Sequence, residues 1–191
     1  MLPKGSILKV YEYYFTAHRY SDEIMRALRE FFDCPDLKRG GSFEADEKSE
    51  ELFNEWFLYD FALANGKTIL ADFVAENPLR FSAAEMILYR NLLETNAYGL
   101  YEVVSVDIKK GLMLKNSQTG KEMYVYEQKL TLQVKPGDIF FGRVGRVNNH
   151  YELIGADTFL LNGLSKAVRK SLCKISLKLT PKVAHDIWKR Q

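Results

Sequence analysis

The chain reads as an α+β protein: a helical N-terminal half, a small antiparallel five-stranded β unit with barrel-like curvature, and a basic C-terminal α/β tail. Three observations predict this. Apolar residues recur at helical spacing up to about residue 95. Short runs of β-branched and aromatic residues follow, divided by glycine, asparagine and proline turns. Lysines and arginines then crowd residues 165–191, where eight bases meet one acid. The expected divisions are 1–96, 97–160 and 161–191, with the tail packing back on the body.

Leu8, Tyr11 and Phe15 repeat at helical spacing. Ser21 before Asp22 and Glu23 suits the positive end of a second helix, whose apolar stripe is Ile24, Leu28 and Phe31. Asp33-Cys34-Pro35 ends it, because the residue before proline is pushed out of the α region. Residues 36–49 are glycine-rich and charged, and read as a loop. A third helix carries Leu52, Phe53, Trp56, Phe57 and Asp60; Gly66 is its expected stop and Thr68 the expected cap of a helix over 69–76. Ser82-Ala83-Ala84-Glu85 is a capping box opening a helix with Met86, Tyr89 and Leu93 on one face.

From Gly99 the pattern changes to strands. Expected strands cover 99–107, 112–115, 122–127, 139–144 and 151–154. Asn116 to Gly120 marks a hairpin, Pro136-Gly137-Asp138 a turn and Asn148-Asn149 another. Gly142 and Gly145 point to a bulge or tight bend. So small a barrel fills with its own side chains, which leaves a face or an edge for binding. In the tail, Leu164, Val168 and Leu172 have helical spacing, Cys173 to Leu179 alternate like a strand, and Thr180-Pro181 opens a last helix.

The composition is ordinary for a globular protein, 47% hydrophobic and 27% charged. Net charge is +2, but residues 36–95 hold six bases against twelve acids. An acidic middle and a basic tail fit either internal docking or a polyanion partner. No apolar run is long enough to span a membrane, and the N-terminus lacks the apolar core of a signal peptide. Cys34 and Cys173 form no metal or redox motif. A bacterial cytosolic protein without membrane association is the expectation.

The motif Trp56-Phe57-x-x-Asp60-x-x-Leu63-x-x-Gly66-x-Thr68, followed by Phe73, is similar to one in a group of uncharacterised bacterial proteins. Some of these carry a SEC-C zinc motif, the short metal-binding element also found at the end of the SecA translocation ATPase. The similarity extends through Tyr98 to Val103, Thr119-Gly120, Gly137-Asp138 and Arg143, roughly residues 50–147. It implies a shared architecture and no catalytic residue. The zinc is not implied, because this chain has no C-x-C and no Cys-His cluster.

Enzyme motifs are missing. Gly66-Lys67-Thr68 lacks the earlier glycine of a P-loop, since position 61 is Phe. Asp60 is expected to be partly buried and to accept hydrogen bonds from the turn Asn65 to Thr68. His18, His150 and His185 lie in separate segments with no ligand spacing, so no metal or other cofactor is expected. Arg143, Arg146, Lys166, Arg169, Lys170 and Lys174, with Lys178 and Lys182 beyond, form a candidate polyanion surface; beside exposed Tyr124 or Tyr126 they would suit RNA or DNA. The alternative is a solvated face offsetting the acidic middle. The leading expectation is a non-enzymatic binding or adaptor protein with an unknown protein partner, the second a nucleic-acid- or ribosome-associated protein.

Overall fold

A computed structural model describes residues 5–41, 43–155, 158–161, 172 and 178–189. They show an α+β protein of two compact units. A helical unit combines Pro3–Tyr89 with Pro181–Gln191, and a strand-built unit holds Arg90–Thr180.

The helical unit contains α1 (Ser6–Thr16), α2 (Ser21–Phe31), α3 (Glu47–Tyr59), α4 (Ile69–Glu76), the first part of α5 (Ala83–Thr95) and α6 (Pro181–Lys189). Side-chain caps set the starts of α3, α4 and α5. Asp46 accepts the Ser49 amide at 2.9 Å and Thr68 that of Ala71 at 3.3 Å. Ser82 and Glu85 exchange bonds of 2.8 and 3.3 Å, the expected capping box. Pro181 opens α6 as its spacing predicts.

Three local expectations are corrected. Leu8 is 55% exposed, because the buried face of α1 is Val10 and Tyr14. Ser21 is the first residue of α2 rather than its cap, and its hydroxyl donates to His18 O. Gly66 does not stop α3, which ends at Tyr59 with Asp60 as C-cap. Its left-handed φ of 79° closes a turn in which Gly66 donates to Leu63 O and Leu63 to Lys67 O, both at 2.8 Å.

The aromatic wealth of the first half is core. Phe53, Phe57 and Phe61 stack in succession at centroid distances of 5.8 and 5.6 Å, and α3 packs against both α4 and α6. Burying each such ring contributes about 1.5–3 kcal/mol.

The strand-built unit contains β1 (Ala97–Asp107), β2 (Gly111–Asn116), β3 (Glu122–Tyr126), β4 (Ile139–Val147), β5 (His150–Leu153) and the short β6 (Phe159–Leu160). The first five are the expected strands, with β1, β2 and β4 wider than expected, β3 one residue shorter and β5 shifted by one; the short β6 lies beyond them. β1 is long enough to serve two partners. Ala97–Glu102 pair with β4 and Tyr101–Asp107 with β2, and a bulge shifts the register between Val103 and Ser105. The bulge is therefore in β1, where local twist is needed, and not at Gly142 or Gly145. Those glycines make room instead: a Cβ on Gly145 would lie 2.5 Å from the Ile154 side chain.

The pairings run β1-β2-β3-β5-β4, and β4 pairs again with β1. The sheet is mixed rather than antiparallel, because β3 and β5 run parallel through Val125↔Tyr151 and Tyr126↔Glu152. Tyr101, Val103, Leu112, Leu114, Val125, Phe140 and Val144 form the core of this unit.

Candidate functional site

Strand alternation places a row of rings on one face of β3. Val125 is fully buried, so its neighbours Tyr124 and Tyr126 turn the other way. Their rings meet edge to face at 5.2 Å, and Tyr126 remains 48% exposed. Gly111 of β2 lies opposite Tyr126. A Cβ there would stand 2.8 Å from the Tyr124 ring and 2.4 Å from Val125 O, so the ring occupies space only glycine leaves. The Tyr124 hydroxyl reaches Asp107 Oδ2 at 3.4 Å.

His150 extends the row. Its ring lies 4.6 Å from that of Tyr126, and its Nε2 is 2.6 Å from Glu152 Oε1. The parallel pairing of β5 with β3 makes this neighbourhood, because it sets Glu152 beside Tyr126. Two turns border the rings. Asn148-Asn149, with Asn148 at φ 55°, joins β4 to β5. Residues 108–110 join β1 to β2; Lys109 donates its amide to Thr131 Oγ1 at 2.9 Å, and Lys110 O accepts from Glu127 at 3.3 Å. Lys109, Lys110 and Lys129 are exposed here, with Asp107 3.6 Å from Lys110.

The arginines expected to bind a polyanion are elsewhere. Arg143 is 2% exposed, donates to Asn96 Oδ1 at 2.7 Å and lies 5.4 Å from the centroid of the Tyr98 ring. Half-buried Arg146 takes Thr95 Oγ1 on its amide and Asn91 Oδ1 on its guanidinium. Both side chains tie β4 to the end of α5. Lys166, Arg169, Lys170 and Lys174 lie outside the described residues.

Trp56 is buried between Phe31 and Phe61, with ring centroids at 5.4 and 5.3 Å. Asp60 is half-buried and donates its amide to Trp56 O at 2.8 Å. With the turn at Gly66 and the cap at Thr68, these residues build the joint between α3 and α4. The acceptor for the turn's Asn65 amide is Asp72, which the sequence reading did not single out. Cys34 is half-buried, with its thiol 3.2 Å from Phe32 O, and Cys173 is outside the described residues. Among the described residues no three His, Cys, Asp or Glu side chains form a metal-ligating cluster, and no helix is long and apolar enough to cross a membrane.

No family model, curated protein or solved structure matches this chain.

Proposed function

We propose that the chain is a non-enzymatic binding protein whose strand-built unit takes single-stranded nucleic acid across the outer face of β2 and β3. The observation that carries this reading is the row Tyr124, Tyr126 and His150, an aromatic surface over which bases can stack. The order of pairings supports it. A ring β1-β2-β3-β5-β4-β1 with one parallel contact suits a small barrel of the oligonucleotide/oligosaccharide-binding type. Barrels of that type bind across strands 2 and 3 between the loops joining strands 1 to 2 and 4 to 5. Here those loops are 108–110 and Asn148-Asn149, and both border the ring row.

Lys109 and Lys110 supply cations for the backbone, each neutralised phosphate adding to the salt dependence. The nearby Asp107 and Glu152 keep the face from being strongly basic, so stacking carries more of the binding than charge does. This face differs from the basic tail that the sequence nominates.

The test is fluorescence anisotropy of short single-stranded RNA and DNA across a salt series. Tyr126→Ala is expected to weaken binding by about 1–3 kcal/mol, as loss of one stacked base does. Its melting temperature should stay at the wild-type value, because the ring is half exposed. Lys109→Glu with Lys110→Glu should flatten the salt slope. No binding at low salt, or equal binding by Tyr126→Ala, rejects the reading and returns the search to a protein partner.

A further inference from the structure

The imidazole of His150 has one ring nitrogen engaged by the protein and one left over. Nε2 lies 2.6 Å from Oε1 of Glu152, a residue only 5% exposed. An ionised carboxylate only accepts, so Nε2 carries the hydrogen of this contact. That bond holds the ring in place and decides which nitrogen remains for a ligand. Nδ1 has no partner among the described residues and is not sealed from solvent, since 30% of the His150 side chain is exposed. We propose that Nδ1 bonds the 2′-hydroxyl of a bound nucleotide, so that the strand-built unit selects single-stranded RNA over DNA of the same sequence. The inference rests on the nucleic-acid reading of the β2–β3 face and narrows its ligand.

Position comes first. His150 opens β5 directly after the exposed turn Asn148-Asn149. Its ring lies 4.6 Å from that of Tyr126 between centroids and is inclined to it by 58°. A base stacked on Tyr126 carries its sugar at its edge. An inclined neighbouring ring meets that nucleotide with its rim, where the ring nitrogens are. The carboxylate that orients the imidazole is brought there by the parallel pairing of β5 with β3, which sets Glu152 opposite Tyr126.

Hydrogen-bond chemistry then selects the group. A neutral imidazole offers a lone pair at Nδ1, and a charged one offers an N–H. A phosphate oxygen only accepts, so it answers the charged ring alone. Each carbonyl or amino group on a base edge is fixed as acceptor or donor, and it too answers one state. A 2′-hydroxyl both donates and accepts, so it satisfies Nδ1 in either state. Phosphates also have the exposed Lys109 and Lys110 at the border of the row. Deoxyribose has no such group and forgoes the bond.

Fluorescence anisotropy with the full chain would compare labelled strands of one adenine–cytosine sequence, so that the bases are identical. The strands are RNA, DNA and 2′-fluoro RNA, which keeps the ribose shape without the O–H. RNA should bind roughly three- to tenfold tighter than DNA, the range one net hydrogen bond supplies. The 2′-fluoro strand should bind as DNA does. His150→Phe keeps a ring without nitrogen, and His150→Gln keeps a donor for Glu152 without Nδ1. Whichever of them melts as the wild type does should lose the preference for RNA. In the wild-type protein the ¹⁵N resonance of His150 Nδ1 should move further with RNA than with DNA. Binding of neither RNA nor DNA overturns the nucleic-acid reading and this inference with it. Equal binding of RNA and DNA overturns the inference alone. So does 2′-fluoro RNA that matches RNA, a preference kept by a folded variant, or an Nδ1 resonance that RNA leaves unmoved.

Discussion

The side-chain amide of Asn65 donates to Asp72 Oδ1 at 3.2 Å, while the hydroxyls of Tyr14 and Tyr20 donate to Oδ2 at 2.7 and 2.8 Å. One carboxylate, 5% exposed, therefore ties α1, the start of α2, the turn after α3 and α4 together. Burial raises its pKa, but the bonds from Tyr14, Tyr20 and Asn65 outweigh burial and hold it below the usual carboxylate value. The same contact, after burial, pushes Tyr20 up to about 12.

Asp72→Asn should therefore destabilise the helical unit. The amide offers one acceptor oxygen where three donors converge, and its own NH₂ faces donors. A loss of about 2 kcal/mol is expected, the scale of hydrogen bonds to a buried charged group. Denaturant unfolding followed by the Trp56 signal measures it, and a midpoint equal to wild type would show that the cluster contributes nothing net.

The gap between Asp60 and Asp72 shows what the sequence could reveal. The stretch 52–76 announces a helix, a glycine turn and a capped second helix, because caps and periodicity are local. That the Asn65 amide reaches Asp72 is a tertiary contact no local pattern announces, and an aromatic run gives no sign that α3 stops at Tyr59. The strands were legible for the same local reason, their bounds falling within a few residues of those observed. The parallel pairing of β3 with β5 was not, since no residue marks which strand a chain returns to. The ring row depends on that pairing: Tyr124 and Tyr126 are evident in the sequence as aromatics, but His150 joins them only through β5. Arg143 misled, because a buried arginine and a phosphate-binding one look alike until the neighbours Asn96 and Tyr98 are known.

The environment of His185 predicts a pH dependence in the helical unit. Burial lowers its pKa from 6.5, the Asp186 carboxylate partly offsets this, and Lys189 and Lys182 add to the lowering. Asp33, Glu44 and Asp46 are the other charged groups lining the cleft it borders. A histidine with a depressed folded pKa binds its proton more readily when unfolded, so stability rises with pH through that window and is lost as pH falls below 6.5. Asp46 does not contribute there, because its bond to Lys189, against the opposing effect of burial, keeps it well below the usual carboxylate range. Thermal melts between about pH 8 and pH 5 should fall on the acid side, and His185→Gln should flatten that fall. A slope unchanged in the variant assigns the effect to other groups.

Arg143 separates structure from binding within the strand-built unit. Its guanidinium is buried against the Tyr98 ring and donates to Asn96, so its charge is engaged inside the unit and not on the face of Tyr124 and Tyr126. Arg143→Lys keeps the charge but loses the planar fork and the ring contact. The expected cost is about 1–3 kcal/mol, the scale of a buried group losing its hydrogen-bond partner. In a chain of this size that lowers the melting temperature by roughly 2–4 °C per kcal/mol. Nucleic-acid affinity and its salt slope should stay at wild-type values wherever the variant is folded. If Arg143→Lys instead keeps the melting temperature and loses affinity, the arginine is a phosphate contact and the binding face lies on β4. The two outcomes exclude each other, because a side chain whose removal costs no stability is not holding β4 to the end of α5.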